Sequence, residues 1–232
     1  YHTSIVVQGF AAARSQSLRC EVFPVYDEQG RGAGWARNKG VALSNSLFVT
    51  FCDADDVLRE DTAERMVSSY QRGKYVYIDS IDGDGLHQTK DIGYYDSTWW
   101  HVVTTLIPAT VFKFYGGFNE SLPALEDMEL YMRLQAHGFC GGRCPHPLLR
   151  YTAGGRRSLT FKQSPNYYDL RDAIYAKWSG KAMAGCCGGT PISGEIPDGK
   201  QDTDILVTAL YTPRSVIGSI TGRQYPRPRG TN

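Results

Sequence analysis

The segment LFVTFC (residues 47–52) constrains the fold most, because it has the length of a strand and no alternation of polar and apolar residues. Such a strand is typical of a parallel sheet that is covered on both faces. GWARNKGVALSNS (34–46) precedes it with a helical composition, and apolar residues recur at helical spacing over residues 63–70 after it. A second strand pattern, KYVYID (74–79), follows. This order of strands and helices predicts a doubly wound α/β sheet.

Two further helices are expected downstream of these elements. LEDMELYMRLQAHG (125–138) has a helical apolar stripe, and Ser164 with the following proline is a typical helix start. Over residues 184–199 the composition changes to glycine, proline and small residues. We therefore predict three parts: a main domain over residues 1–180, a linker over 181–200, and a small β appendage with a basic tail over 201–232.

The first residues of the chain allow two interpretations. TSIVV (3–7) could be a strand, but few residues then separate it from the strand pattern CEVFPV (20–25) for a parallel crossover connection. We therefore expect SIVVQGFAAARSQS (4–17) to form the first helix, with the first strand of the sheet upstream of Tyr1.

Charge and cysteine content bound the functional classes. A formal net charge of +1 over 232 residues gives no indication of a nucleic acid or an anionic membrane as partner. No apolar run reaches membrane-spanning length. Six cysteines are too few for a disulfide scaffold at this length, which predicts a reducing compartment such as the cytoplasm. Four of them could instead form a zinc site, although they lack paired CxxC spacing: Cys140, Cys144, Cys186 and Cys187.

Three carboxylates follow the buried strand pattern directly. Asp53, Asp55 and Asp56 belong to the sequence DADD, which we call the DADD segment (53–56). Ligands of open α/β sheets bind at the carboxyl ends of strands, and Mg²⁺ or Mn²⁺ joins such carboxylates to phosphate oxygens. The alternative is that these aspartates cap the helix that follows Val57.

Two segments carry a family resemblance in the same order. GWARNKGVALSNSLFVTFCDADDVL (34–58) resembles the segment with ARN and DaDD in family 2 glycosyltransferases of the GT-A fold. GGFNESLPALEDMELYMRLQAHGF (116–139) is similar to their segment with GGFdE and ED. If the aspartates only capped a helix, no second motif would be expected downstream, so the two matches favour the family resemblance. The resemblance covers residues 4–178.

The resemblance implies a fold and a reaction. The fold would be α/β of the GT-A type, a Rossmann-like, doubly wound mixed sheet, here with a small C-terminal β appendage. The reaction would be metal-dependent transfer of a sugar, with inversion, from a nucleoside-diphosphate sugar to a hydroxyl of a saccharide or protein acceptor.

The resemblance also implies roles for single residues. Asp127 would be the catalytic base, and Asp55 would ligate Mn²⁺ or Mg²⁺. The donor would be bound by Asp27, Arg37, Asn38 and Asp53, with Asp27 at the base and Asp53 at the ribose. The acceptor side would be formed by Gly116, Gly117 and Glu126.

Departures from the family pattern keep two other functions open. RYTAGGRRS (150–158) has no histidine where many relatives complete their metal site, and no segment matches the turn after their first strand. A non-catalytic relative that binds a saccharide, or forms part of a larger particle such as a virion, fits these departures. LYTPRSVIGSITGRQY (210–225) faintly resembles a β unit of phage-encoded proteins. A nucleotidyltransferase is the other alternative, but its glycine-rich phosphate loop is not visible in the sequence.

Overall fold

The computed structural model describes residues 3–8, 25–27, 29–53, 55–82, 85–87, 89, 101–152, 166–179 and 207–211. The strands in these ranges are β1 (Thr3–Gln8), β2 (Val25–Asp27), β3 (Phe48–Cys52), β4 (Val57–Leu58), β5 (Lys74–Asp82), β6 (Gly85–His87), β7 (Thr105–Pro108), β8 (Cys140–Arg150) and β9 (Val207–Tyr211). The helices are α1 (Ala33–Leu43), α2 (Thr62–Ser68), α3 (Ala109–Phe114), α4 (Glu126–Ala136) and α5 (Tyr167–Trp178).

The strands form one mixed sheet in the order β2-β1-β9-β3-β7-β5-β8-β4, and β6 pairs with β5 at its side. β3 runs parallel to β9, and β5 runs parallel to β8. β7 lies antiparallel between β3 and β5. The mixed α/β sheet confirms the predicted fold class.

β3 is covered on both faces, as its composition predicts. All five residues are buried. Val49 and Phe51 point into the apolar core that α1, α3 and α4 cover, whereas Phe48 and Cys52 point into a second core with Met66 of α2. Because both faces are packed, β3 holds the DADD segment at a fixed place at its carboxyl end.

α4 also forms where its apolar stripe predicts. It begins after Leu125, whose φ of 61° turns the chain into the helix, and Leu130, Tyr131 and Leu134 are buried. After the helix ends at Ala136, Gly138 has a φ of 80°, the left-handed conformation that glycine adopts without steric penalty. The first turn of α4 therefore presents Glu126 and Asp127 at a defined position.

The two ends of the chain differ from expectation. The expected helix over 4–17 is wrong for residues 4–8, which belong to β1, a strand that pairs antiparallel with β2 and β9. Its remainder lies outside the described residues. Residues 207–211, which the sequence places in a separate appendage, form β9 inside the main sheet. Local composition does not reveal this because the partners of β9 are far away in sequence. The linker at 181–200 lies outside the described residues, and the domain boundaries stay a prediction.

Candidate functional site

Arg37 joins the DADD segment to α4. One guanidinium nitrogen, Nη2, donates to Asp53 Oδ1 at 2.6 Å, and Nη1 donates to Glu126 Oε1 at 2.5 Å. The Arg37 side chain is 6% exposed, whereas that of Asp53 is 37% exposed. Burial works to lower the pKa of Arg37, but the charges of Asp53, Glu126 and Asp127 raise it above its ordinary value. Two motifs that are distant in sequence are thereby held together.

Asp127 lies in the first turn of α4, beside this ion-pair bridge. Its Oδ1 accepts a hydrogen bond from the backbone N–H of Met128 at 2.8 Å. Burial and the neighbouring charge of Glu126 raise the pKa of Asp127 to about 6, while Arg37 opposes the rise. A carboxylate with this pKa is ionised at neutral pH and can accept a proton from a hydroxyl group.

Within the DADD segment, the acids differ in exposure. Asp55 is exposed and Asp56 is buried. Thr152, just beyond β8, donates its backbone N–H to Asp56 Oδ1 at 2.9 Å and its hydroxyl to the Asp55 carbonyl oxygen at 2.6 Å. Burial and the charges of Asp53 and Asp55 raise the pKa of Asp56 to about 7, although the hydrogen bond from the Thr152 N–H lowers it. Asp56 thus anchors the segment, and Asp55 faces solvent.

The charges of these carboxylates act on two tyrosines to which no motif points. Tyr151 follows the end of β8, and burial with the nearby carboxylates raises its pKa to about 12. Tyr167 begins α5, and burial with the charge of Asp127 raises its pKa as well. The aspartates that act on Tyr151 are Asp56, Asp53, Asp127 and Asp55. Tyr151 could have been proposed from the sequence because it follows a strand. No feature of the sequence points to Tyr167.

Asp27, expected at the nucleotide base, is bonded to its own loop. It is fully buried, and its carboxylate accepts N–H groups of Gln29 at 3.2 Å and Arg31 at 2.5 Å. The Arg31 side chain also donates to it at 3.1 Å. Burial works against ionisation, but the contacts with Arg31 hold the pKa of Asp27 below its ordinary value. In this arrangement Asp27 shapes the turn after β2.

Asn38 and Gly117 contact each other. Asn38 Oδ1 accepts the N–H of Phe118, and its amide nitrogen donates to the Phe118 carbonyl oxygen, both at 2.8 Å. A Cβ at Gly117 would clash with Asn38 and lie 2.9 Å from the Phe112 ring. Glycine is therefore needed at 117 for its φ of 64° and for close packing against α1 and α3, whereas Gly116, with a φ of 83°, has open space around it.

Gly116 lines a polar cleft of about 450 Å³ beside α4 and α5. Trp178 and Lys177 form one side, with the ammonium 4.8 Å from the ring centroid. Trp178 Nε1 donates to Glu129 at 3.1 Å, and Arg133 Nη2 donates to the Gly117 carbonyl oxygen at 2.6 Å. An aromatic face with polar groups around it is a suitable surface for a sugar ring.

Neither His101 nor His146 supplies the metal ligand that many relatives have after the last strand. His101 is buried against Tyr77, and burial lowers its pKa to about 4. His146 lies inside β8 and contacts Arg65 on α2. In the described ranges, no group of three or more His, Cys, Asp or Glu residues could hold a metal ion. Cys140 and Cys144 are buried, and the other two cysteines of the alternative zinc site lie outside these ranges.

Comparison with known proteins gives one family. Residues 5–119, about half of the chain, match the family described as Glycosyl transferase family 2. The match includes Arg37 and the DADD segment and ends before Asp127. A search of the curated proteins returned no match. Among the helices described above, none has the length and apolar character needed to cross a membrane. With its mixed α/β sheet and this match, the chain belongs to glycosyl transferase family 2, and its fold is GT-A.

Proposed function

We propose that this protein is an inverting, metal-dependent glycosyltransferase that moves a sugar from a nucleoside-diphosphate sugar to an acceptor hydroxyl. The observation that carries the proposal is the bridge from Asp53 through Arg37 to Glu126. It brings the strand end suited to a donor next to Asp127, the residue suited to deprotonate an acceptor. Family membership supports glycosyl transfer, and the geometry supports these roles.

The charge of the site favours a metal ion with the donor. The charges of Asp53, Glu126 and Asp127 act on Arg37, and those of Asp53 and Asp55 act on Asp56, so among the described residues carboxylates outnumber the one cation of the site. An anionic diphosphate is repelled by such a site unless a cation accompanies it. Asp55, an exposed oxygen ligand, fits Mn²⁺ or Mg²⁺ whose other ligands are phosphate oxygens and water. When bound, such an ion neutralises the departing diphosphate.

The protein's own residues would carry the remaining steps. The 37% exposure of Asp53 leaves it accessible to a ribose hydroxyl while Arg37 holds its Oδ1. Asp127 would accept the proton of the acceptor hydroxyl as that oxygen attacks C1, a contribution of roughly 10²- to 10⁴-fold. One direct displacement inverts the anomeric centre. The cleft lined by Gly116 and Trp178 would orient the acceptor.

A donor-hydrolysis screen tests this function. UDP-, GDP- and dTDP-sugars are incubated with Mn²⁺, Mg²⁺ or a chelator, and released nucleoside diphosphate is measured. We expect hydrolysis of one donor class that depends on the ion. Binding of a nucleoside diphosphate without turnover of any donor would instead support the non-catalytic relative, which the absence of a described histidine at the site favours.

Metal binding has a separate test in Asp55→Ala. Because Asp55 is exposed and outside the core, the fold should survive, while Mn²⁺-dependent binding of UDP, GDP or dTDP is lost in calorimetry. Glu60→Ala removes an exposed carboxylate nearby and serves as the control. Equal affinity in Asp55→Ala and the wild type would show that Asp55 does not ligate the metal ion. Helix capping does not explain the segment either, because β4 separates it from α2, whose N-cap position is Asp61.

A further inference from the structure

We propose that Arg37 is a positioning residue, whose guanidinium fixes the DADD segment against the first turn of α4 and balances the negative charge around Asp127. This inference rests on the proposed function for its catalytic meaning only. It replaces the expectation that Arg37 binds the donor, and it makes α1 the element that joins the two halves of the site.

The geometry of Arg37 leaves it little reach toward a ligand. Two different guanidinium nitrogens are bonded to two carboxylates, at 2.6 Å to Asp53 and 2.5 Å to Glu126. The side chain is 6% exposed, and its guanidinium carbon lies 5.2 Å from the centroid of the Phe118 ring. A planar fork that binds two carboxylates in fixed directions sets the distance between them, which a lysine cannot do.

Neighbouring packing keeps the fork in place. Gly34, one turn before Arg37 on α1, would have its Cβ 3.7 Å from Glu126 Cγ, so α1 and the start of α4 are in close contact. On the next position of α1, Asn38 is bonded to the backbone of Phe118. α1 is therefore fixed against the segment before α4, and this places Arg37 between Asp53 and Glu126.

Charge around Asp127 is dominated by acids, so the position of one cation matters. The charges of Glu126 on α4, Arg37 on α1 and Asp53 after β3 affect the pKa of Asp127. The charge of Asp127 in turn affects the pKa of three tyrosines: Tyr131 on α4, Tyr151 after β8 and Tyr167 on α5. Arg37 lowers the pKa of Asp127, while burial, Glu126 and Asp53 raise it. Loss of the Arg37 charge should therefore make Asp127 harder to ionise.

The test is a direct titration that needs no turnover. Carboxyl ¹³C signals of aspartate-labelled protein are followed against pH, and the Asp127 signal is identified by its loss in Asp127→Asn. In Arg37→Gln we expect the midpoint of Asp127 to rise by about one pH unit or more. Arg72→Gln removes an exposed charge elsewhere and should leave the midpoint unchanged. An unchanged midpoint in Arg37→Gln would overturn the proposal.

Arg37→Lys separates position from charge and covers the case in which Arg37→Gln fails to fold. It keeps the cation but loses the fork, so we expect a nearly unchanged midpoint and a turnover at least about tenfold lower. Calorimetry with UDP, GDP and dTDP plus Mn²⁺ should show affinities within a few-fold of the wild type. Wild-type turnover, or affinity lost with an unchanged midpoint, would overturn the positioning role. If no donor is turned over but the midpoint moves in Arg37→Gln, the proposed function fails while the charge balance stands.

Discussion

At the scale of single residues, Asp127 combines the two properties that deprotonation of a sugar hydroxyl needs. It lies at the start of a helix, where N–H groups favour an anion, and one of these, from Met128, is bonded to it. It is also partly withdrawn from water, which raises its pKa to about 6 and makes it a stronger proton acceptor than an exposed aspartate. Glu126, its neighbour, is instead engaged with Arg37.

Asp127→Asn should leave nucleotide binding nearly intact and lower turnover by about 10²-fold or more, since only proton removal is lost. Steady-state kinetics and calorimetry with the selected donor measure the two effects. Asp172→Asn, on the exposed side of α5, is the matched control. Undiminished turnover would remove Asp127 from the mechanism.

The pH dependence follows from the same carboxylate. Asp127 acts as a base only when ionised, so kcat/KM should rise with pH through a midpoint near 6 and level off above it. Asp56 titrates nearby, with a pKa of about 7, but contacts Thr152 in the anchor of the DADD segment. The rise near pH 6 should therefore persist in Asp56→Asn. A midpoint near 4 would show that burial does not raise the proton affinity of Asp127.

The identities of these residues could be predicted from the motifs, but their partners could not. DADD and ED are recognisable because their spacing is local, and both lie where the sequence predicts. The contact between Arg37 and Glu126 spans 89 positions and depends on how α1 packs against α4. For that reason the sequence suggested ligand contacts for Arg37 and Glu126, where the structure has an ion pair between them.

At the scale of elements, the end of β8 supports the DADD segment. β8 pairs with β5 over most of its length and with β4 at Arg150 and Leu149. Thr152 then reaches Asp55 and Asp56 with its hydroxyl and its backbone N–H. The spacing of apolar residues in the sequence predicts β5 and α4. It does not predict which strand end contacts the DADD segment.

Thr152→Val tests this support, because it keeps the shape and the backbone N–H but loses the hydroxyl that donates to the Asp55 carbonyl oxygen. A lost hydrogen bond of this kind is worth about 1 kcal/mol, so metal-dependent nucleotide affinity should fall about fivefold. Calorimetry measures it, and Thr110→Val, exposed on α3, is the control. Unchanged affinity would mean that the contacts of Asp53 and Asp56 hold the segment without the Thr152 hydroxyl.

At the scale of the whole molecule, β9 completes the sheet that carries the DADD segment. β9 pairs in parallel with all of β3, from Phe48 opposite Val207 to Cys52 opposite Tyr211. Its other edge pairs with β1, which in turn pairs with β2. The Gly- and Pro-rich composition before β9 suggested a separate unit. Composition indicates local structure, but it does not indicate with which strand β9 pairs.

Truncation tests whether β9 belongs to the catalytic domain. A chain that ends at Gly185 lacks β9, so the backbone groups of β3 on that edge lose their partners, and β1 and β2 lose their link to the sheet. We expect a melting temperature lower by about 10 °C or more, or insoluble protein, with loss of donor hydrolysis. A chain that ends at Arg214 keeps β9 and should match the full chain in both measurements.

Addition of a peptide covers the alternative that truncation acts only through solubility. A synthetic peptide of residues 203–214, which contains β9, should bind the chain truncated at Gly185 and raise its melting temperature, because strand addition restores the hydrogen bonds of β3. A peptide of the same composition in scrambled order should not. If the chain that ends at Gly185 keeps the full melting temperature and hydrolyses donor within a few-fold of the full chain, residues 201–232 form the separate appendage that their composition predicts.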